Sequence, residues 1–473
     1  MFRKKITIAL TIMFFVLIIG GCGKKSQEGL KELATGEVYS ENGYSKDEQV
    51  TLSIIYAEAG VKKDFFEHAV KSFQEKFPNV TIKLQLMDGG IETYRKYIKT
   101  IIQSSDSAAM PDWIQELPGE TATALAKMRK LEPQEEMLGR SFFDNPKLKV
   151  DEGSIVDARK LDATEHTYVL PNASSVAGVF FNKQLIKQYG LELPMIWADF
   201  LEFSSKIKAR GIYPMVMAGK YASGYFDAGW GAIPYELGGE EYLQRVYNYE
   251  DDIYISEPYI EMLRRLDQYN KKGFIHPGTA SFDHTQSQME LVQGKAAMIT
   301  VGAWIANEMR EVTPADFNWG FMPFPGIDNS QQDYYVRVAT GNSGFIWKDK
   351  PEVVKKWAKE FNLWLYNLDV QKLSAMGGGT PSRKDFIEQA GNLEDISPSV
   401  AEALRSLSKP DVKVFNPSAN NPEKMNRIKD STALAKVSKT LGDGYIQIIT
   451  GEKKPEEVAA AINTHYMKGL GKK

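Results

Sequence analysis

Several side chains of this 473-residue chain could do acid–base or nucleophilic chemistry, and their spacing decides which reactions are open to it. Hydrolysis of a glycan needs two carboxylates at a set separation. Adjacent acidic residues occur at Glu135, Glu136, Asp251 and Asp252. Residues 341–345 lack the last glycine of a Gly-x-Ser-x-Gly nucleophile elbow. Because adjacent surface acids are usually solvated, we predict a protein that is not an enzyme. A glycan-processing enzyme that uses an acid pair is the alternative.

The histidines form no metal-binding pattern. Zinc sites on helices commonly use ligands about one helical turn apart in sequence. Calcium loops have acidic residues at fixed spacings. No two histidines lie four residues apart; they are His68, His166, His276, His284 and His465. We therefore predict neither a metal nor a cofactor.

Aromatic side chains are numerous enough, at 22 Tyr and 8 Trp, to line a cleft as well as fill a core. Trp304 follows the apolar run 296–301 and Gly302, where a buried strand should end. Ligands of open α/β sheets gather at such carboxyl ends. Residues 220–236 hold further aromatics in a stretch without a regular period, including Tyr225 and Trp230. We predict ligand contact for these three aromatics, with core packing as the alternative.

The amino terminus has the arrangement of an export signal. Three basic residues precede an apolar run at 6–19, which is shorter than the roughly 20 residues that span a bilayer. Residues 19–22, Ile-Gly-Gly-Cys, resemble a bacterial lipobox, so we predict cleavage after residue 21 and lipidation of Cys22, for example by palmitate. An ordinary cleaved signal is the alternative. Residues 22–49 are predicted to be a lipidated flexible tether reaching about 30 Å.

The charge of the chain excludes some partners. Removing residues 1–21 takes away three positive charges and changes the net charge from −3 to −6. A mildly acidic chain lacks the excess of positive charge that binds nucleic acid or anionic lipid. We predict a monomeric body facing the outside of the cell and held to the membrane by its lipid anchor only.

Hydrophobic periodicity predicts an α/β fold. Residues 50–56 and 80–86 have strand patterns, whereas 62–77 and 94–102 place apolar side chains on one helical face. Such βα units in series are typical of a mostly parallel sheet.

Acidic residues follow the predicted strands of this region. Glu58 comes after the first strand, and Glu116 and Glu120 come after Ile114. Loops at the carboxyl ends of adjacent strands can reach a cleft, where carboxylates accept hydrogen bonds from hydroxyl groups. We predict that these three acids bind ligand; a solvated surface position is the alternative for each.

Three segments resemble the family 1 extracellular solute-binding proteins of bacterial ABC importers, the group that includes maltodextrin-binding proteins. They are residues 294–304, with Gly-Lys-Ala-Ala-Met followed by Gly-x-Trp, and residues 167–183 and 334–347. The resemblance covers about residues 50–470. It implies a two-lobed periplasmic-binding-protein-like fold of type II, in which each lobe is a mostly parallel sheet flanked by helices and hinge crossovers join the lobes.

The resemblance also places the lobes. Crossovers are expected near Pro171, Gly341 and Pro410. The expected N-terminal lobe comprises residues 50–170 and 340–408, and the expected C-terminal lobe comprises residues 171–339 and 409–473.

Further ligand contacts follow from the same resemblance. Asp112 lies in the family's short Pro-Asp turn, Asn342 in the polar break of the third segment, and Arg383 at the end of a Gly- and Pro-containing turn that borders the family's cleft. A turn-forming role is the alternative for Asn342. The tryptophan that maltodextrin binders carry in a late loop is absent from residues 412–427, which argues against a linear maltodextrin.

The function implied is capture of a sugar, preferentially an oligosaccharide, and its delivery to ABC permease subunits served by a cytoplasmic ATPase. A sensor role without transport is a variant of the same binding function. A cell-wall adhesin is disfavoured because the sequence shows no repeats.

Overall fold

The computed structural model describes residues 36–57, 63–87, 90–103, 110–117, 119–155, 159–161, 166–327, 333–340, 344–416 and 421–472. Two compact units divide the chain, Met1–Asp47 and Glu48–Lys473. Within the first, a β-bridge joins Val38 to Ser45, and the Tyr39 amide donates to the Tyr44 carbonyl at 2.9 Å. This part of the predicted tether therefore carries local structure. Cys22 and the predicted export signal lie outside the described residues.

The second unit contains the described helices and the strands of the two main sheets. The strands are β1 (Val50–Ala57), β2 (Val80–Met87), β3 (Trp113–Ile114), β4 (Ser141–Phe142), β5 (Asn145–Lys149), β6 (Arg159–Lys160), β7 (Thr167–Val169), β8 (Ser174–Asn182), β9 (Tyr213–Val216), β10 (Ala296–Gly302), β11 (Trp319–Met322), β12 (Tyr334–Thr340), β13 (Phe345–Ile346) and β14 (Val412–Phe415). The α-helices are α1 (Lys63–Lys76), α2 (Gly90–Gln103), α3 (Gly119–Lys127), α4 (Val150–Gly153), α5 (Lys183–Gln188), α6 (Trp197–Lys208), α7 (Ala222–Asp227), α8 (Ile233–Tyr247), α9 (Glu257–Lys271), α10 (His284–Val292), α11 (Ile305–Glu308), α12 (Glu352–Trp364), α13 (Leu368–Met376), α14 (Phe386–Ala390), α15 (Pro398–Leu407), α16 (Ser431–Ile449) and α17 (Pro455–Gly469). Within the described ranges, no helix has both the length and the apolar character needed to cross a bilayer.

The first sheet has the strand order β13–β3–β1–β2. β1 pairs in parallel with β2 and β3, so Ile54 lies opposite both Leu84 and Trp113, whereas β13 pairs antiparallel with β3. Phe66 on α1 packs against Trp113 with 5.7 Å between ring centroids. The predicted βα units of this region are confirmed.

The second sheet has the order β14–β12–β8–β10–β9, and β11 also pairs with β8. β8 runs antiparallel to β10, β11 and β12, whereas β10 pairs with β9 and β12 pairs with β14 in parallel. This sheet is therefore mixed and not mostly parallel as expected. Every residue of β10 is buried, which explains its continuous apolar sequence.

Residues suited to starting or ending a helix do so around this sheet. The Asn182 side chain accepts a hydrogen bond from the Gln184 amide and caps α5. Gly294 has a φ of +72°, which an L side chain rarely adopts, and it follows the end of α10. Pro455 begins α17, where its missing N–H costs no helical hydrogen bond.

The passages of the chain between the two sheets lie next to one another. Ser174, at the start of β8, is opposite Thr340 of β12 and also forms a β-bridge with Thr380. α12 packs on β1 of the first sheet, whereas α15 packs on β11 and β8 of the second. α15 therefore belongs to the packing of the second sheet, and the expected crossovers near Pro171, Gly341 and Pro410 stay predictions.

Residues 220–236 are not the irregular loop that the sequence predicts. They form a 3-10 turn (Gly219–Tyr221), α7, a second 3-10 turn (Trp230–Ala232) and the start of α8. These helices are too short to show a sustained hydrophobic period, which explains why the sequence of residues 220–236 has no regular pattern. Most of the aromatic residues of this stretch are therefore free to pack inward, as core residues of the second sheet.

Candidate functional site

A cavity of about 460 Å³ opens at the carboxyl end of β10. Because β8 lies between β10 and β12, Ala177 stands opposite both Gly302 of β10 and Arg337 of β12. These three positions form part of the cavity wall. α7 and α16 contribute further walls, the latter through Lys439 and Asp443. The position matches the usual place for ligands in α/β sheets.

Aromatic rings form one side of this cavity. The Tyr221 side chain is 48 % exposed and its ring stacks on the His284 imidazole, with 3.7 Å between centroids and 22° between planes. Trp304 is half-buried beside them. A Cβ at Gly302 would lie 1.8 Å from the Trp304 ring, so the glycine is what allows the indole to fold back over the strand end.

A network of hydrogen-bonded polar side chains lies behind these rings. The Tyr225 hydroxyl is 3.0 Å from His284 Nδ1 and accepts a hydrogen bond from Gln288 Nε2 at 3.2 Å. Gln288 Nε2 also donates to Glu308 Oε2 at 2.7 Å. Burial raises the pKa values of Tyr225 and Glu308 and lowers the pKa of His284. Burial thus favours the uncharged form of each of these groups, and the network can orient hydroxyl groups.

A positive charge at the cavity is influenced by an acid nearby. Arg337 lines the cavity, and Asp227, which is not one of the lining residues, accepts a hydrogen bond from the Tyr445 hydroxyl at 2.7 Å. Burial raises the pKa of Asp227 to about 6, and the positive charge of Arg337 opposes that shift. Burial likewise lowers the pKa of Arg337. The two charges attract each other without forming a direct ion pair.

The glycine-rich segment of residues 376–383 reaches the same place. A Cβ at Gly378 would lie 2.8 Å from Asn307 Cβ and 3.3 Å from Trp304 Cα, and the φ of Gly378 is +94°. Only glycine allows this backbone to approach so closely. The segment therefore contacts Trp304, which lines the cavity, and Gly378 serves packing here.

The structure brings two of the predicted ligand contacts together and separates others from them. Tyr225 and Trp304 both line the cavity. Trp230 is 0 % exposed and packs against Phe324, Tyr269 and Trp197, with 4.7–6.0 Å between ring centroids. The prediction that Trp230 contacts ligand is therefore corrected, because its ring belongs to the core.

Two predicted polar contacts, Asp112 and Glu116, are engaged within the protein. Asp112 accepts hydrogen bonds from the Ser53 amide and hydroxyl at 2.7 and 2.8 Å and pairs with Lys350 at 3.1 Å. Glu116 pairs with Arg95 at 2.7 Å. Glu58, Asn342 and the side chain of Glu120 lie outside the described residues. Asp112 is thus a buried structural acid, whereas Glu116 is partly exposed.

Arg383 is also a structural residue. Its side chain is 1 % exposed and forms ion pairs with Asp144 at 2.6 Å and Asp385 at 2.7 Å. The guanidinium carbon lies 4.8 Å above the Phe142 ring. With its charge paired and its surface covered, Arg383 does not reach a ligand, which corrects its predicted role.

The adjacent acids that raised the possibility of hydrolysis are engaged in partly exposed contacts. Glu135 pairs with His166 at 2.7 Å, and Asp251 pairs with Arg427 at 2.6 Å. Asp252 accepts a hydrogen bond from Asn463 at 2.8 Å. Among the described residues, no three His, Cys, Asp or Glu side chains form a group able to hold a metal ion.

Comparisons with known proteins agree on one family. The family model for bacterial extracellular solute-binding proteins matches residues 56–372. An uncharacterized ABC transporter extracellular-binding protein of Pyrococcus horikoshii is 23 % identical over 428 residues, which are 87 % of this chain and 89 % of the relative. The multiple sugar-binding protein of Streptococcus mutans is 22 % identical over 296 residues, 61 % of this chain and 65 % of the relative.

Solved structures show the same fold. The sugar-binding protein MalE of Xanthomonas citri has a TM-score of 0.68 at 16 % identity, and the alignment covers 89 % of this chain and 97 % of that one. The predicted two-lobed α/β fold is thereby confirmed.

Proposed function

Because the chain belongs to the bacterial extracellular solute-binding proteins, which lie outside the cytoplasm, we propose that it captures a carbohydrate and delivers it to an ABC import permease. The observation that carries the proposal is the cavity at the end of β10, where the rings of Trp304 and Tyr221 stand beside hydrogen-bonding groups. Aromatic faces pack against the apolar faces of sugars, and polar groups orient the hydroxyls. Relatives named for sugar binding support this choice of ligand.

Transport in this proposal depends on closure of the two sheet regions around the ligand. The ligand favours the closed state only as far as it contacts both regions. Trp304 and Tyr225 are the contacts from the second sheet. Glu58, Glu116, Glu120 and Asn342 remain our candidates from the first sheet region and the crossover, since Glu58, Glu116 and Glu120 follow β1 and β3 at their carboxyl ends.

Thermal unfolding of residues 23–473 against mono- and oligosaccharides tests the proposal. A ligand that binds only the native state raises the midpoint in a concentration-dependent way. We expect a rise with at least one saccharide, recovered intact, and a smaller rise for Trp304→Ala. Cleavage of the saccharide would instead favour the glycan-processing enzyme, and no rise with any saccharide would remove the case for a carbohydrate ligand.

We further propose that Cys22 carries the lipid that holds the protein to the outer face of the cell membrane. A single acyl chain binds membranes only marginally, so docking on the permease adds to the anchoring. Metabolic labelling with palmitate should mark the full-length protein in the membrane fraction, and Cys22→Ala should lose both label and membrane association. Labelling of Cys22→Ala at the wild-type level would reject the anchor. We expect the released body to be a monomer by light scattering.

A further inference from the structure

Arg337 is a cation on an otherwise apolar stretch of β12. Its neighbours along the strand, Val336 and Val338, are both buried, and its cross-strand partner is Ala177. The Arg337 Nε is buried and has no hydrogen-bond partner among the residues that the structure describes. Within the same residues, no carboxylate lies close enough to form an ion pair with it. Arg337 is instead one of the residues that line the cavity.

The other charges at the cavity leave this cation only partly balanced. Lys220 lies 3.8 Å from Asp283, and Lys439 pairs with Asp443 one helical turn away. Asp227 is the acid that acts on Arg337, but it is already held by the Tyr445 hydroxyl. The cavity therefore offers a positive group whose Nε has no hydrogen-bond partner among the described residues.

Burial of such a group under a ligand has an energetic consequence. When a ligand displaces water, an unpaired charge loses its solvation, and neutral hydroxyl oxygens replace it poorly. A carboxylate or phosphate gives the planar guanidinium charge-assisted and often bidentate hydrogen bonds. A ligand with an anionic group thus fits the cavity better than a neutral one.

We infer that the ligand of this cavity is an acidic saccharide whose anionic group is bound by Arg337 while Trp304 and Tyr221 contact the sugar ring. This inference rests on the proposed function and specifies its substrate class. A uronic acid carboxylate and a sugar phosphate share the required chemistry. The planar carboxylate matches the guanidinium fork, and the test distinguishes the two sources.

The test compares each saccharide that carries an anionic group with a counterpart that lacks the charge. Calorimetry on residues 23–473 measures binding of digalacturonate and its dimethyl ester, and of glucose 6-phosphate and glucose, at constant ionic strength. We expect an acidic member to bind about 30-fold more tightly than its neutral counterpart, as a charge-assisted bidentate contact predicts. If only glucose 6-phosphate binds more tightly than its neutral counterpart, the anionic group that Arg337 binds is a phosphate.

Variants then connect the preference to Arg337. Arg337→Gln should reduce the affinity for the acidic ligand to that of its neutral counterpart, and Arg337→Lys should retain part of the preference. The matched control is Arg405→Gln, because Arg405 is exposed on α15 and pairs with Glu402 away from the cavity. The thermal midpoint of each variant shows whether it has folded.

The outcomes separate this inference from the proposed function. If neutral saccharides bind as tightly as acidic ones, or if Arg337→Gln keeps the acidic preference while folded, the inference is wrong and the carbohydrate proposal stands. If no saccharide of either kind binds, both fail.

Discussion

Ser174 and Thr380 exchange a pair of backbone hydrogen bonds, with the Ser174 amide donating to the Thr380 carbonyl at 2.9 Å and the Thr380 amide donating back at 3.2 Å. The Ser174 hydroxyl also donates to the Thr380 carbonyl at 3.2 Å. Because Ser174 is paired with Thr340 as well, three separate passages of the chain meet at one residue. Motion of one sheet region relative to the other must therefore involve this junction.

Thr380→Val should destabilise the junction by about 1–2 kcal/mol, because the Thr380 hydroxyl accepts a hydrogen bond from the buried Val176 amide at 3.3 Å and valine leaves that amide unpaired. Denaturant unfolding measures the change. Thr464→Val on the exposed face of α17 is the control, with an expected change within about 0.5 kcal/mol. Equal stabilities for the two variants would show that the hydroxyl contact adds nothing.

Substitution of the two tryptophans that the sequence predicts as ligand contacts should have different effects, one on stability and the other on binding. Trp230→Ala should lower the free energy of unfolding by about 3–5 kcal/mol, because it removes a fully buried ring. Trp304→Ala should weaken saccharide binding by about tenfold with a smaller loss of stability, because its ring lines the cavity. Urea unfolding and calorimetry measure the two quantities. A Trp230→Ala protein of wild-type stability, or a Trp304→Ala protein of wild-type affinity, would contradict these roles.

Arg383→Met should destabilise the protein by about 3 kcal/mol, because it leaves the carboxylates of Asp144 and Asp385 without their common cation. Affinity of the folded fraction for a saccharide should stay within about threefold of wild type, since Arg383 does not line the cavity. Unfolding and binding are measured on the same preparation. An affinity loss without a loss of stability would restore the predicted ligand contact.

The buried Glu236 should make the free energy of unfolding depend on pH. It is buried on α8, where Oε1 accepts from the Tyr335 amide at 3.4 Å and Oε2 has no partner among the described residues. Burial raises its pKa from 4.5 to about 8. Between these values the folded state holds a proton that the unfolded state has released, so the contribution of Glu236 to stability falls as pH rises.

Glu236→Gln removes this titration and keeps the shape of the protonated acid. The stability of the variant relative to wild type should therefore rise by up to about 1.4 kcal/mol per pH unit from pH 5 to pH 8 and then level off. Urea unfolding across this pH range measures the difference. Parallel stability curves for the two proteins would mean that Glu236 is ionised throughout.

The parts of the fold that sequence predicts are those governed by neighbours in the chain. Asn182 caps a helix and Gly294 ends one through contacts within a few residues, and β10 is recognisable from its own apolar run. The expected crossover near Pro410 stays a prediction, because the packing of α15 depends on β8 and β11, which lie far away in sequence.

The candidate site was predicted in part for the same reason. Trp304 follows a strand end, so its place could be predicted, whereas the burial of Trp230 depends on Tyr269 and Phe324 from other elements. Lys439 and Asp443 come from a helix more than a hundred residues after β10 and carry no local signal. Arg337 did carry one, as a lone charge within the apolar run Tyr-Tyr-Val-Arg-Val-Ala, and that signal was missed.

The cavity wall runs from Ala177 to Ile446, so its two ends are separated by more than half of the chain. Closing a loop of that length is slow compared with forming a local helix, and the non-local pairings of a mixed sheet add to the delay. The cavity is complete only when α16 has docked on α7. Ligand binding thus reports on a completely folded second sheet region, and added ligand should rescue variants that fold poorly there, because it binds only the native state.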